Sequence, residues 1–255
     1  MIELKGISFA YPGCSPLLKD ISVNFPRGKI TTILGPNGSG KSTLLKAACN
    51  LLSVSEGEVL LEGKSVRGMK AKKLACQVAM LAQSNRPPEI EVVDLVSYGR
   101  YPYRKYGQGL GKEDWRHIEQ AMEQVDIASY RHRLVNKLSG GERQRAYIAM
   151  ALAQDTELIF LDEPTTYLDI HIRFELMELI HELNRAGKTI VMVLHDLNLA
   201  LEYSHYLILM EGGKIAACGS PEELISSKTL DRVFKIKTRI LREEDKKYYY
   251  FMRKE

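Results

Sequence analysis

Cysteine is scarce in this chain and has no pattern. Four residues in 255, at positions 14, 49, 76 and 218, include no closely spaced pair. That argues against a disulfide framework or a compact cysteine metal cage and fits a reduced, cytosolic setting. Also missing is any run approaching the ~20 apolar residues needed to cross a bilayer. The N-terminal Met1-Ile2-Glu3-Leu4-Lys5 lacks the long apolar stretch of a secretory signal. If the protein serves a membrane process, other chains are expected to do the spanning. The net charge of +4 is too small to imply a nucleic-acid partner. Basic residues gather at Lys64, Arg67, Lys70, Lys72 and Lys73, and a solvated surface helix is the preferred reading of that cluster. There is no internal repeat and no low-complexity segment. The length suits one sizeable core with room for a subdomain, and two independent domains would be cramped.

What is present is more specific. Gly35-Pro36-Asn37-Gly38-Ser39-Gly40-Lys41-Ser42-Thr43 matches the glycine-rich pattern that wraps the phosphates of a nucleoside triphosphate. Ile30–Leu34 reads as a short buried strand before it, and Thr43–Ala48 opens a helix after it. The glycines let successive N–H groups converge on one anion, and the helix adds its positive end. In this pattern Lys41 reaches the outer phosphates and the Ser42 hydroxyl ligates the accompanying Mg2+.

Residues 2–10 alternate and read as a strand, as do Ile21–Phe25 and Glu58–Glu62. Together they suggest an antiparallel sheet beside the nucleotide strand. From about 92 to 150 the pattern is helical, with a loop at 107–111 and a helix over Glu113–Val125. Leu158–Leu161 and Thr189–Leu194 are continuous apolar runs, as expected of parallel strands covered on both faces, with a crossover helix over about 170–186. The tail from Thr238 to Glu255 reads as a small hairpin turning near Glu243-Glu244-Asp245.

Asp162 and Glu163 follow the apolar strand, where ligands gather in an open parallel sheet. Asp162 suits a magnesium ligand, and Glu163 a general base that orients and deprotonates the attacking water. His195 leaves the next strand and suits contact with the terminal phosphate and the water. Ser139 reads as the N-cap of a helix in Leu138-Ser139-Gly140-Gly141-Glu142-Arg143-Gln144-Arg145, a second helix start able to receive an anion. Two such starts about a hundred residues apart are more than one nucleotide requires from a single chain.

In this order and spacing, the phosphate loop, Leu138–Gln144, Asp162-Glu163 and His195 resemble the ATP-binding subunit of an ABC transporter, over about residues 1–235. The resemblance implies an α/β fold: a P-loop NTPase (RecA-like) parallel sheet core with an antiparallel β subdomain and an inserted α-helical subdomain. It implies a nucleotide-binding domain over 1–237, with the helical subdomain at about 86–150 and the tail at 238–255. A head-to-tail dimer is also implied, with ATP between the Lys41 loop of one copy and Ser139-Gly140-Gly141 of the other. On the same ground Gln83 is expected to touch Mg2+ and water, Tyr11 to stack on adenine, and Asp169 to lie in a loop crossing the dimer interface. The family more often has serine, alanine or histidine where this chain has Thr166 and Tyr167. Asp94–Tyr103 is similar to the segment that follows the glutamine loop in importers of iron–siderophore complexes, haem and vitamin B12, a segment that docks against the permease. The implied partners are transmembrane permease subunits and, indirectly, an extracytoplasmic solute-binding protein, with the chain peripheral at the cytoplasmic face of the membrane. The rival reading is a non-transport ABC ATPase such as the iron–sulfur cluster assembly ATPase, which is of similar length but continues differently after its strand-end glutamate.

Overall fold

The computed structural model describes residues 2–82, 86–105, 107–243 and 246–254. The chain divides into two compact units, one of residues 1–67 with 192–255 and one of residues 68–191.

The first unit begins with β1 (Ile2–Phe9), β2 (Leu18–Phe25), β3 (Ile30–Leu34), α1 (Lys41–Ala48), β4 (Glu56–Leu61) and β5 (Lys64–Ser65). The second holds α2 (Ala71–Ala75), β6 (Val78–Leu81), α3 (Val92–Ser97), α4 (Lys112–Gln124), α5 (Gly140–Ala153), β7 (Leu158–Asp162) and α6 (Ile170–Arg185). β8 (Thr189–Val193) carries the chain back to the first unit. There it forms α7 (Leu197–Tyr203), β9 (Tyr206–Glu211), β10 (Lys214–Gly219), α8 (Pro221–Ser226), α9 (Thr229–Phe234), β11 (Ile236–Glu243) and β12 (Lys246–Arg253).

In the first unit β2, β1, β4 and β5 pair antiparallel in that order, with Ile2 opposite both Phe25 and Leu61. Alternation of buried and exposed residues along β2 turns Ile21, Val23 and Phe25 inward, as a half-solvated sheet requires. β3 is different, since all five residues are buried. It pairs parallel with β9, from Thr31 opposite Tyr206 to Leu34 opposite Leu209, and β9 pairs antiparallel with β10. The Lys19 N–H donates to the Gly213 carbonyl (2.9 Å), tying β2 to the β9–β10 turn. β11 and β12 form an antiparallel hairpin from Ile236 opposite Arg253 to Glu243 opposite Lys246.

In the second unit β6 and β7 run parallel, Val78 opposite Leu158 and Leu81 opposite Leu161. α6 buries Leu176, Met177, Leu179, Ile180 and Leu183 at helical spacing. Helices α3, α4 and α5 bury Val92, Val96, Ile118, Met122, Ile148 and Ala149.

Some details depart from the sequence reading. The basic cluster is not one surface helix: Lys64 pairs with Leu61 in the β4–β5 hairpin, Arg67 lies in the turn that follows, and only Lys72 and Lys73 of the five are on α2. Gly63 and Gly68, both at positive φ, break the stretch. α1 begins at Lys41, two residues before the expected helix start. β9 and β10 were not anticipated, although the apolar run Leu207–Met210 ahead of Gly212-Gly213 is a hairpin signal.

Candidate active site

β3 delivers the chain into the glycine-rich loop. Gly35 has φ 154°, and a Cβ there would stand 2.3 Å from the Met210 carbonyl oxygen and 2.7 Å from Ser39 Oγ. Only glycine fits that close approach of backbones. Gly40, at φ 98°, is the N-cap of α1, and no side chain caps the helix. Lys41 is 6% exposed, and its Nζ donates to the carbonyls of Gly35 (2.9 Å) and Pro36 (3.2 Å). The ammonium therefore closes the loop upon itself. Ser39 is 3% exposed, and its Oγ is one of three buried side-chain polar atoms without a hydrogen-bond partner among the described residues. Such an orphan costs about 1–3 kcal/mol, a cost that an oxygen-rich ligand in the loop removes. A glycine-lined cradle, an uncapped helix start and an unsatisfied hydroxyl together fit a phosphate group.

Two other residues of interest lie in this unit. Tyr11 lies beyond the end of β1, exposed, with its ring edge-on to Phe9 at a centroid distance of 4.9 Å. His195 is exposed just past the end of β8, immediately before Asp196, whose carboxylate caps α7 by accepting from the N–H groups of Asn198 (2.9 Å) and Leu199 (3.2 Å).

In the second unit β7 ends at Asp162, which is buried, and Glu163 follows at φ 54°, a left-handed conformation that costs a non-glycine residue free energy. That conformation turns the chain off the strand. The Thr166 N–H donates to the Glu163 carbonyl (3.3 Å), and the Thr166 hydroxyl donates to Glu163 Oε2 (3.1 Å). Both carboxylates line a pocket of about 50 Å³ with Gly140, Arg143, Gln144 and Tyr147. Within this unit the structure thus brings Asp162, Glu163 and Gly140 to one pocket. Among the described residues no group of three or more His, Cys, Asp or Glu is arranged to hold a metal. The donors expected for Mg2+, the Ser42 hydroxyl, the Asp162 carboxylate and the Gln83 amide oxygen, are hard oxygens, the chemistry that ion requires.

α5 begins with a complete capping box. Ser139 Oγ accepts from the Glu142 N–H (3.3 Å), and Glu142 Oε2 accepts from the Ser139 N–H (2.7 Å). The Ser139 N–H bond, together with Tyr130, the Ser139 hydroxyl and Arg133, outweighs burial and holds the Glu142 carboxyl below its ordinary value. A Cβ on Gly141 would stand 2.7 Å from Ile172 Cγ2, so this position is glycine for packing. Asp169 is exposed at the N-cap of α6 and makes no side-chain capping bond. Gln83 lies outside the described residues.

The Asp94–Tyr103 segment, read from sequence as a partner-facing surface, has a structural half. A Cβ on Gly99 would meet the Met150 carbonyl oxygen at 2.2 Å, so α5 passes directly over it. Arg100 is 5% exposed, donates to Asp114 Oδ1 (3.0 Å) and the Ala153 carbonyl (2.9 Å), and lies 4.1 Å from the Tyr103 ring centroid. Burial pushes the Asp114 carboxyl up, but the Gly111 N–H and Arg100 outweigh it and hold the group below its usual value. Tyr98, Tyr101 and Tyr103 remain exposed. Sequence reasoning missed the Arg100–Asp114 pair and the Thr166–Glu163 bond. Only the spacing Gly111-x-x-Asp114, with an acceptor three residues past a helix start, hinted at the former.

The family model described as ABC transporter matches residues 18–166. The chain belongs to the ABC transporter family. Among proteins it resembles, the iron(3+)-hydroxamate import ATP-binding protein FhuC of Bacillus subtilis is 43% identical over 94% of this chain and 88% of that protein. The ferric enterobactin transport ATP-binding protein FepC of Escherichia coli K12 is 41% identical over 88% of this chain and 83% of that one. A dimeric ATP-binding cassette, MJ0796, solved in a post-hydrolysis state with ADP and phosphate, aligns with a TM-score of 0.74 at 28% identity, covering 87% of this chain and 99% of that cassette. The ABC fold of this chain is therefore a P-loop cassette whose parallel strands are joined by helices and accompanied by an antiparallel sheet.

Proposed function

We propose that this chain is the ATP-hydrolysing subunit of an ABC importer for ferric siderophores or related metal chelates. The observation that carries the reading is its similarity, at 43% identity across nearly all of its length, to an import ATP-binding protein for iron(3+)-hydroxamate. It works at the cytoplasmic face of the membrane with permease subunits, which receive solute from an extracytoplasmic binding protein. No helix among the described residues is long and apolar enough to cross a membrane.

Two copies pair head to tail around two nucleotides. The loop at 35–43 holds the phosphates through its backbone N–H groups, with Lys41 exchanging its carbonyl partners for phosphate oxygens and Tyr11 against the adenine. Ser139-Gly140-Gly141 and Asp169 of the second copy complete each site. Ser42, Asp162 and Gln83 hold Mg2+, which when bound neutralises charge on the phosphates. Glu163 takes the proton of the attacking water, and His195 steadies that water and the terminal phosphate. Closing favours ATP because only the closed pair offers it both sets of donors, and this differential affinity is what moves the permease.

Glu163→Gln tests the centre of the reading. The variant is expected to bind ATP as the parent does, to turn over at least about 100-fold more slowly, and to accumulate as a dimer in size-exclusion chromatography with ATP. Turnover at the parental rate would remove Glu163 from the role of base. Import is tested by co-expression with a candidate permease and uptake of a labelled ferric hydroxamate, where failure of Lys41→Ala to lower uptake would count against it.

A further inference from the structure

We infer that Thr166 is a positioning residue for the hydrolytic base, holding one oxygen of the Glu163 carboxylate so that the carboxylate plane is set before water arrives. The inference rests on the proposal that Glu163 is that base. It starts from a conformational problem. Glu163 leaves β7 at φ 54°, off the strand path, and its side chain projects from a strained turn with rotatable χ angles still to fix. Two bonds from one residue address both. The Thr166 N–H closes the turn on the Glu163 carbonyl (3.3 Å), and the Thr166 hydroxyl donates to Oε2 (3.1 Å).

Two further features make the bond suited to positioning. Thr166 is β-branched, so its χ1 is stiff and its hydroxyl is delivered at small entropic cost. It also sits on a braced turn: the neighbouring Thr165 and Leu168 are buried, the Leu168 N–H donates to the Thr165 carbonyl (3.4 Å), and Arg173 Nε donates to the Leu168 carbonyl (2.7 Å). The donor is therefore held by the protein rather than by solvent. Thr166 itself is half-buried and lines the same pocket as Glu163, and valine keeps its branched shape while lacking the hydroxyl. A base that must meet a water within hydrogen-bond reach loses rate when its orientation is free, because each turnover must then find the productive geometry.

The test compares Thr166→Val, Thr166→Ser and Glu163→Gln, singly and with Thr166→Val added to Glu163→Gln, in the purified full chain. ATP turnover, KM for ATP and the thermal midpoint are read for each. Thr166→Val is expected to lower kcat about tenfold, the loss of one such hydrogen bond, with KM within about twofold and the midpoint unchanged. Thr166→Ser, which keeps the donor, restores kcat to within about twofold of the parent. In the Glu163→Gln background, Thr166→Val is expected to change the slow residual turnover by less than about twofold, because the group it orients is gone. Parental kcat in Thr166→Val, no recovery in Thr166→Ser, or an undiminished tenfold loss in the double variant each overturns the inference. Failure of the base assignment is separable, because it appears as parental turnover in Glu163→Gln alone.

Discussion

Two helix starts in this molecule read alike in sequence and differ in structure. At α1 the N-cap is Gly40 in a left-handed conformation, no side chain caps the helix, and the preceding loop holds a buried hydroxyl without a partner. At α5 the N-cap is Ser139, which exchanges hydrogen bonds with Glu142 in a closed box. Both are glycine-flanked and both suit an anion. α1 offers its backbone donors through a loop that only glycine can trace, whereas α5 is stabilised by its own chain and carries a resident carboxylate. The lesson is that α1 is built around a ligand, while α5 is complete as a helix and becomes a ligand site only through what another surface brings to it.

The comparison is broken most directly at Gly35. Gly35→Ala forces a Cβ to within 2.3 Å of the Met210 carbonyl oxygen, so the loop must move by an ångström or more. Affinity for ATP is expected to fall by about 100-fold or more, measured with a fluorescent nucleotide, since displacements of that size cost that much at a preorganised site. Affinity within twofold of the parent would mean the cradle is not shaped by this glycine.

The third helix start, at α4, supplies the purely structural case. Asp114 accepts from the Gly111 N–H (2.9 Å) and pairs with buried Arg100, so Asp114→Ala strands a guanidinium. A loss of about 3 kcal/mol in a urea melt is expected, with ATP affinity of the folded protein unchanged. A loss under about 1 kcal/mol would show that solvent reaches Arg100 easily.

A smaller effect separates the two roles assigned to Ser139. Ser139→Ala removes the cap and is expected to cost about 1 kcal/mol. Ser139→Asp recovers the cap but places a negative charge where the partner's ATP is proposed to lie, so stability returns and ATP turnover does not. Recovery of both would sink the head-to-tail assignment of this residue.

The smallest effect is one of pH. Glu142 has its carboxyl lowered from an ordinary value of 4.5, so the box contributes stability above that pH and loses it as pH falls through the lower folded-state value. Acid unfolding followed by circular dichroism is expected to be less steep below pH 4.5 in Glu142→Gln than in the parent. Identical acid limbs would show that Glu142 gains nothing from the box in the folded chain.

The legible parts of this protein were those in which neighbouring residues decide the structure. β3 is legible to the residue because a short run of β-branched and aliphatic side chains, Ile30-Thr31-Thr32-Ile33-Leu34, lies between Gly28 and Gly35. α4 was placed within one residue by its glycine-rich entry and helical periodicity. The N-cap of α5 follows from Ser139 alone, whereas the reciprocal bond from Glu142 emerges only in the structure. The parts missed depend on distant chain. Arg100 reads as a surface cation until Asp114 and the Ala153 carbonyl are brought to it, and Gly99 looks permissive until Met150 passes over it.

The order of residues by itself determined the phosphate loop, the strand that feeds it, the two carboxylates at the end of β7 and the capped helix, since turn chemistry, burial and capping all act within a few positions. Tertiary structure alone decided which glycines are irreplaceable, which arginine is internal and which hydroxyl holds Glu163. Those outcomes depend on a carbonyl or carboxylate arriving from elsewhere in the chain or from around a strained turn, and short-range steric repulsion and desolvation act only once that arrival has occurred.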